Sequence, residues 1–376
     1  MARESRYSSE SRSPSVAHSR DRLLAARPRW NGRPDRLEVW YATFTDLQSR
    51  AGGWVHCEIV APRDDEARAH GWFAWFPTDG PPLVERFGPV KVPRTAGTPA
   101  GLSDGDGGSD SSDEEVWFDH AGVRVDGQRI SGATASLSWD LAWEDATPPL
   151  WTFPKEAWSA ELLPGAQVVV APSASFRGTV ELSGEGLEVD ARGGLAHIFG
   201  HGNAKRWAWL HADLSLAERS DDRRASAGRS DGPSEGSDSG RSESSDVVEL
   251  VTAVSRSPGL DRLPPTAFLR MRVDGEDWPT IPVDPRLRSE IGLPDWSVSG
   301  RVGSKRVRIL VHQPPERTVS LDYQDPDGAH ATCHNSEVAD ALVTVEERRG
   351  GRWVVTREWE LRGVAHAEVG LRDEEG

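Results

Sequence analysis

The chain reads as all-β, folded into two antiparallel barrels or sandwiches. Three observations carry this reading. Short apolar runs rich in Val, Trp, Phe, Leu and Thr recur along the length, and many alternate in polarity. Gly and Pro bound nearly every run. Segments with helical period are scarce; DRLLAARPRW is short and ends at a proline, so one or two short helices are expected. At 376 residues the chain exceeds one ordinary core, and two domains are the default.

Taken in order, residues 1–25 are Ser/Arg-rich and predict a disordered tail. A first β domain spans 26–189, with runs such as GWVHCEIVAP, HGWFAWFP, SLSWDLAWED, AQVVVAP and GTVELSG. An acidic loop, 95–115, interrupts it. A second β domain spans 190–372 and carries DVVELVTAVSR, TAFLRMRV, KRVRILVHQ, ALVTVEER and GRWVVTREWELRG. Its acidic Ser/Gly stretch, 217–246, is expected to be a disordered loop.

The net charge of −16 argues against a nucleic-acid partner, which would need Lys and Arg to neutralise phosphates. Only four lysines occur. Acid-rich, lysine-poor composition fits a high-salt, halophile cytoplasm, although GC-biased coding gives the same Arg-for-Lys exchange. No signal peptide and no membrane-spanning run is read, so a soluble cytoplasmic protein is expected, with peripheral membrane contact left open. Cys57 and Cys333 read as two reduced thiols, although one disulfide is compatible with the sequence. Oligomeric state is not legible.

Residues 197–214, HIFGHGNAKRWAWLHADL, gather three histidines, two tryptophans, a lysine, an asparagine and an aspartate. His197 and His201 have the i, i+4 spacing of a zinc helix, but the glycines oppose a helix and no adjacent Glu exists, so no metal is expected. The phosphate-loop spacing is also absent. Asp104, Asp106, Asp110 and Glu115 match part of a calcium-loop template, but Gly108 and Ser109 break it. Read instead as a turn feeding a strand, the segment places Trp207, Trp209, His211 and Asp213 on one face. Arg206, Ala208, Leu210 and Ala212 share the other. A similar face carries Trp54, His56 and Glu58, opposite Val55, Cys57 and Ile59. His366 and Glu368 form a third His/carboxylate pair. Aromatic plates beside titratable pairs suit acid catalysis on an unsaturated lipid. Protonating a carbon–carbon double bond needs an acid held close in a dry site, and indole faces stabilise the cation by cation–π attraction. The plain alternative is that the tryptophans pack a core and the polar pairs mark wet strand ends.

The segment GLAHIFGHGNAKRWAWLHADL resembles the central motif of the lipocalin-like superfamily of tocopherol cyclases and carotenoid 1,2-hydratases (hydroxyneurosporene synthases). The resemblance implies two consecutive lipocalin-like β-barrels, or half-open sandwiches, with an apolar cavity between or within them. It implies protonation of an isoprenoid double bond, then hydration or ring closure, without a cofactor. His201, Asn203, Trp207 and Trp209 align with the motif, whereas Gly200 stands where the hydratases carry an aspartate. The expected enzyme is therefore a hydratase or intramolecular cyclase. Asp213 or Glu58 would protonate, His201 or His211 would orient or relay, and Trp207 and Trp209 would cradle the cation. Asn203, Lys205, His197, Trp54 and His56 complete the expected ligand-binding set. The alternative is a non-catalytic carrier for a carotenoid, quinone or lipid.

Overall fold

The computed structural model describes residues 21–94, 116–218 and 245–372, apart from residues 23 and 162. Most of the expected tail, the 95–115 loop with its calcium-like spacing, and nearly all of the 217–246 loop lie outside the described residues.

Two ten-stranded antiparallel sheets make up the fold. The first contains β1 (Arg36–Asp46), β2 (Gly52–Ala61), β3 (Ala67–Phe76), β4 (Leu83–Val92), β5 (Val116–His120), β6 (Val123–Asp126), β7 (Arg129–Ala133), β8 (Leu137–Glu144), β9 (Gly165–Leu182) and β10 (Glu185–Gly200). Its order is β4-β3-β2-β1-β10-β9-β8-β7-β6-β5. A short helix, α1 (Lys155–Ala160), precedes β9. The second sheet contains β11 (Arg206–Asp213), β12 (Val247–Val254), β13 (Thr266–Val273), β14 (Glu276–Trp278), β15 (Leu287–Glu290), β16 (Asp295–Val302), β17 (Lys305–His312), β18 (Val319–Gln324), β19 (His330–Arg349) and β20 (Arg352–Arg372). Its path is β14-β13-β12-β11-β20-β19-β17-β16-β15, with β18 also on β19. Both sheets repeat one winding: the first strand pairs with the second and the last, and a long hairpin, β9–β10 or β19–β20, closes the layer. The chain passes between sheets after Gly200, later than residue 190, because β10 is hydrogen-bonded to β1 and β9 through its final residue.

Each sheet curls around a packed interior, in a lipocalin-like double barrel. In the first, Phe73 of β3 stacks on Trp139 of β8 at 4.8 Å, and Phe44 of β1 meets Phe176 of β9 at 5.2 Å. In the second, Ala208 and Leu210 of β11 pack with Leu250 of β12, Leu269 and Met271 of β13, Val298 of β16 and Ile309 of β17. Burial shows where the barrels meet. β8 and β17 alternate buried and solvated residues, as strands with one wet face do. β1, β2 and β11 are buried along almost their whole length, so they are covered on both faces. Val55, Cys57 and Ile59 share one face of β2 and point into the first barrel. Cys57 and Cys333 are both buried and unpaired. Among the described residues no helix is long and apolar enough to cross a membrane.

Candidate active site

The cavity lies between the barrels, on the outer faces of both. It encloses about 430 Å³, a volume in the range of small-molecule sites. Register places its walls. On the first barrel Glu58, Val39, Ile198 and Gln167 are successive cross-strand partners on β2, β1, β10 and β9. On the second, Glu368, Trp209, Val251 and Phe268 are successive partners on β20, β11, β12 and β13. Directly opposed residues share a face, so each row is one wall, and all eight side chains line the cavity.

Six of the residues expected from sequence meet here: Trp54, His56 and Glu58 from β2, Asn203 from the connecting loop, and Trp207 and Trp209 from β11. Asn203 is tied down, because its backbone N–H and side-chain amide both donate to Asp325 Oδ1, at 2.9 and 2.8 Å. The other five lie elsewhere. His197 points into the first barrel, stacked on Trp40 at 4.8 Å and 2.9 Å from Glu38 Oε1. His201 faces away from the cavity, with Nδ1 2.8 Å from Arg36. Lys205 pairs with Asp261 at 3.6 Å. His211 and Asp213 do share the face of the two tryptophans, but beyond the cavity, where the barrels touch directly. His211 Nδ1 is 2.9 Å from Glu249 Oε2. Asp213, fully buried, receives Arg192 Nε from the first barrel at 3.2 Å. The structure therefore gives Asp213 a cross-barrel ion pair in place of the expected place beside a ligand.

Sequence reasoning missed Tyr323, Gln167 and Glu249, and named Glu368 only as a His/carboxylate partner of His366, which instead lies against Glu337. Trp207 Nε1 donates to Glu368 Oε1 at 2.5 Å, and Tyr323 Oη donates to Oε2 at 3.4 Å. Burial pushes the Glu368 carboxyl up, and the Trp207 hydrogen bond offsets part of this. Burial also raises Glu58, with His70 opposing from 3.6 Å. Both acids thus favour the protonated form more than an ordinary carboxyl does. His56 stacks on Trp72 at 4.0 Å, and burial, helped by Arg86, lowers its pKa to about 3. It is a neutral imidazole at neutral pH.

Two glycines make room for these rings. A Cβ on Gly370 would lie 1.9 Å from the Trp207 indole, and one on Gly194 would lie 2.7 Å from the His211 ring. Gly370→Ala is therefore expected to displace Trp207 and break its bond to Glu368, seen as a shifted tryptophan emission. An unchanged emission would contradict this packing.

The titration of His56 has a sign. Its pKa is depressed by folding, so it contributes stability above the unfolded value of 6.5 that is lost as pH falls toward about 3. The raised carboxyls Glu58, Glu368 and Glu337 act oppositely, losing their contribution as pH rises through their folded values. His56→Phe should flatten urea-unfolding stability between pH 6.5 and 3 relative to wild type. Identical slopes would refute the assignment.

Among the described residues no group of three or more His, Cys, Asp or Glu side chains could hold a metal ion. Two uncharacterised proteins from strains of Mycobacterium tuberculosis are 48% identical over 350 residues, covering 93% of this chain and 90% of theirs. Among solved structures, an AttH-type protein of Nitrosomonas europaea aligns with a TM-score of 0.47 at 13% identity, covering 89% of this chain and 92% of that one. Kievitone hydratase from Nectria haematococca aligns with a TM-score of 0.47 at 12% identity, covering 92% and 91%. The tocopherol cyclase-like profile matches residues 34–231, from β1 through β11, and the chain belongs to the tocopherol cyclase-like family.

Proposed function

We propose that the protein is an acid catalyst acting on an isoprenoid double bond in the cavity between its barrels. The observation that carries this reading is the pairing of two buried, raised-pKa carboxyls, Glu58 and Glu368, with the indoles of Trp54, Trp207 and Trp209 on one apolar cavity. Family membership supports it. Glu368 is the proton donor: Trp207 and Tyr323 hold both of its oxygens, which fixes the carboxyl against the wall. The proton adds to one alkene carbon and leaves a carbocation at the other. Indole faces stabilise such a cation by about 0.5–2 kcal/mol each. Capture by water or by a hydroxyl of the same molecule forms the new C–O bond, and the released proton returns to the carboxylate. Glu58, on the opposite barrel, faces the same cavity and in its ionised form relays that proton from an attacking water back to the Glu368 carboxylate, so both acids end as they began.

Incubation with candidate isoprenoids in D2O tests this. The reading predicts one non-exchangeable deuterium on carbon per product molecule. Stoichiometric binding without deuterium incorporation would contradict it and leave a carrier for an apolar ligand.

A further inference from the structure

One end of the second barrel carries a basic outer face, although the chain as a whole has a net charge of −16. The β16–β17 turn and the β19–β20 turn stand side by side there, because Lys305 pairs with Glu347 across β17 and β19. Two cross-strand rows run over this end. Arg288, Ser299, Arg308 and Thr344 are successive partners on β15, β16, β17 and β19. Arg301, Arg306, Glu346 and Val355 are successive partners on β16, β17, β19 and β20. Opposed residues share a face, and so do residues two apart on a strand, so both rows look the same way. That way is outward, since Val298, Val302, Val307 and Ile309 of the same strands are buried in the barrel. Arg348 joins the face beside Trp353, its partner across the β19–β20 hairpin. Arg288, Arg301, Arg308 and Arg348 are exposed and form no ion pair among the described residues. The acids at this end of the face are Glu346, which Arg306 pairs at 3.2 Å, and Glu358.

Two features suit this face to a partner. Arg301 and Arg306 are directly opposed, an arrangement of like charges that costs stability in water and that an anion relieves. Both guanidiniums lie over the Trp353 ring, at 6.0 and 4.7 Å from its centre, so an aromatic plate sits among the charges. Val355 and its neighbour Val354 are 49% and 40% exposed. We propose that this end of the second barrel docks on an anionic lipid bilayer, with the arginines on lipid phosphates and Trp353, Val354 and Val355 in the interfacial layer. A guanidinium meets a phosphate through paired N–H donors, and indole favours the bilayer–water interface. Charges farther off than about 8 Å are screened at physiological salt, so the local face acts in spite of the acidic remainder. A nucleic acid would also meet the arginines, but it would leave the two valines in water.

Co-sedimentation of the full-length protein with phosphatidylcholine vesicles, with and without phosphatidylglycerol, tests this. Binding is expected only where phosphatidylglycerol is present, with release at high salt. Arg301→Glu combined with Arg308→Glu should weaken it by about ten-fold or more. Val354→Asn combined with Val355→Asn, which changes no charge, should weaken it by a smaller factor of about three. All four side chains are exposed, so circular dichroism should show the fold intact in both variants. No binding of the wild type to the anionic vesicles, or binding unchanged in either variant, overturns the proposal. Binding to duplex DNA in place of vesicles, lost in the arginine variant and kept in the valine variant, also overturns it and assigns the face to nucleic acid.

Discussion

Asp213→Ala is expected to destabilise the protein by about 3–5 kcal/mol, the cost of removing one partner from a buried ion pair. Asp213 is fully buried on β11, and Arg192 reaches it from β10 of the other barrel at 3.2 Å. Its second oxygen accepts the Ser215 backbone N–H at 2.9 Å and so caps the turn Leu214–Leu216. The substitution removes an ion pair and a cap together, at the seam where the barrels dock. The same seam holds Thr43 against Glu337, and His366 Nδ1 2.7 Å from Glu337 Oε2. Urea unfolding should show the loss, with ligand affinity unchanged in the folded fraction. Wild-type stability in this variant would mean the pair contributes nothing to docking.

Glu368→Gln is expected to lower turnover by about 10²–10⁴-fold, the usual contribution of a positioned general acid. Glutamine keeps an oxygen for Trp207 Nε1 and is close in volume, so ligand binding should persist. Glu58→Gln should cost less if Glu58 only assists the attacking water. Deuterium incorporation from D2O into product separates the two roles. Full incorporation by the Glu368 variant would remove it as the donor.

The β class and the two-barrel layout were legible because alternation survives wherever a strand has one wet face, as in β8 and β17. The faces of β2 and β11 were legible for the same reason, since side chains two apart share a side. What alternation could not show is which face looks inward. Trp207 and Trp209 lie outside their own barrel, and their partners are the outer residues of another. The partners of a strand face come from distant sequence: Glu249 and Glu368 meet β11 through register alone. A charged residue inside an apolar run was the available signal, in VVELVTAV for Glu249 and AHAEVGL for Glu368. The histidine loop drew attention by composition, but only its Gly202, Asn203 and Ala204 reach the cavity. His201 and Lys205 are engaged in hydrogen bonds and ion pairs around it.

Native mass spectrometry of the protein with added farnesol tests whether an apolar ligand sits between the barrels. Val251 lies mid-wall beside Trp209, so Val251→Trp should fill the space without touching either barrel interior. One bound molecule per wild-type chain and none in the Val251→Trp variant are expected. Equal occupancy in both would place the ligand elsewhere and contradict a site between the barrels.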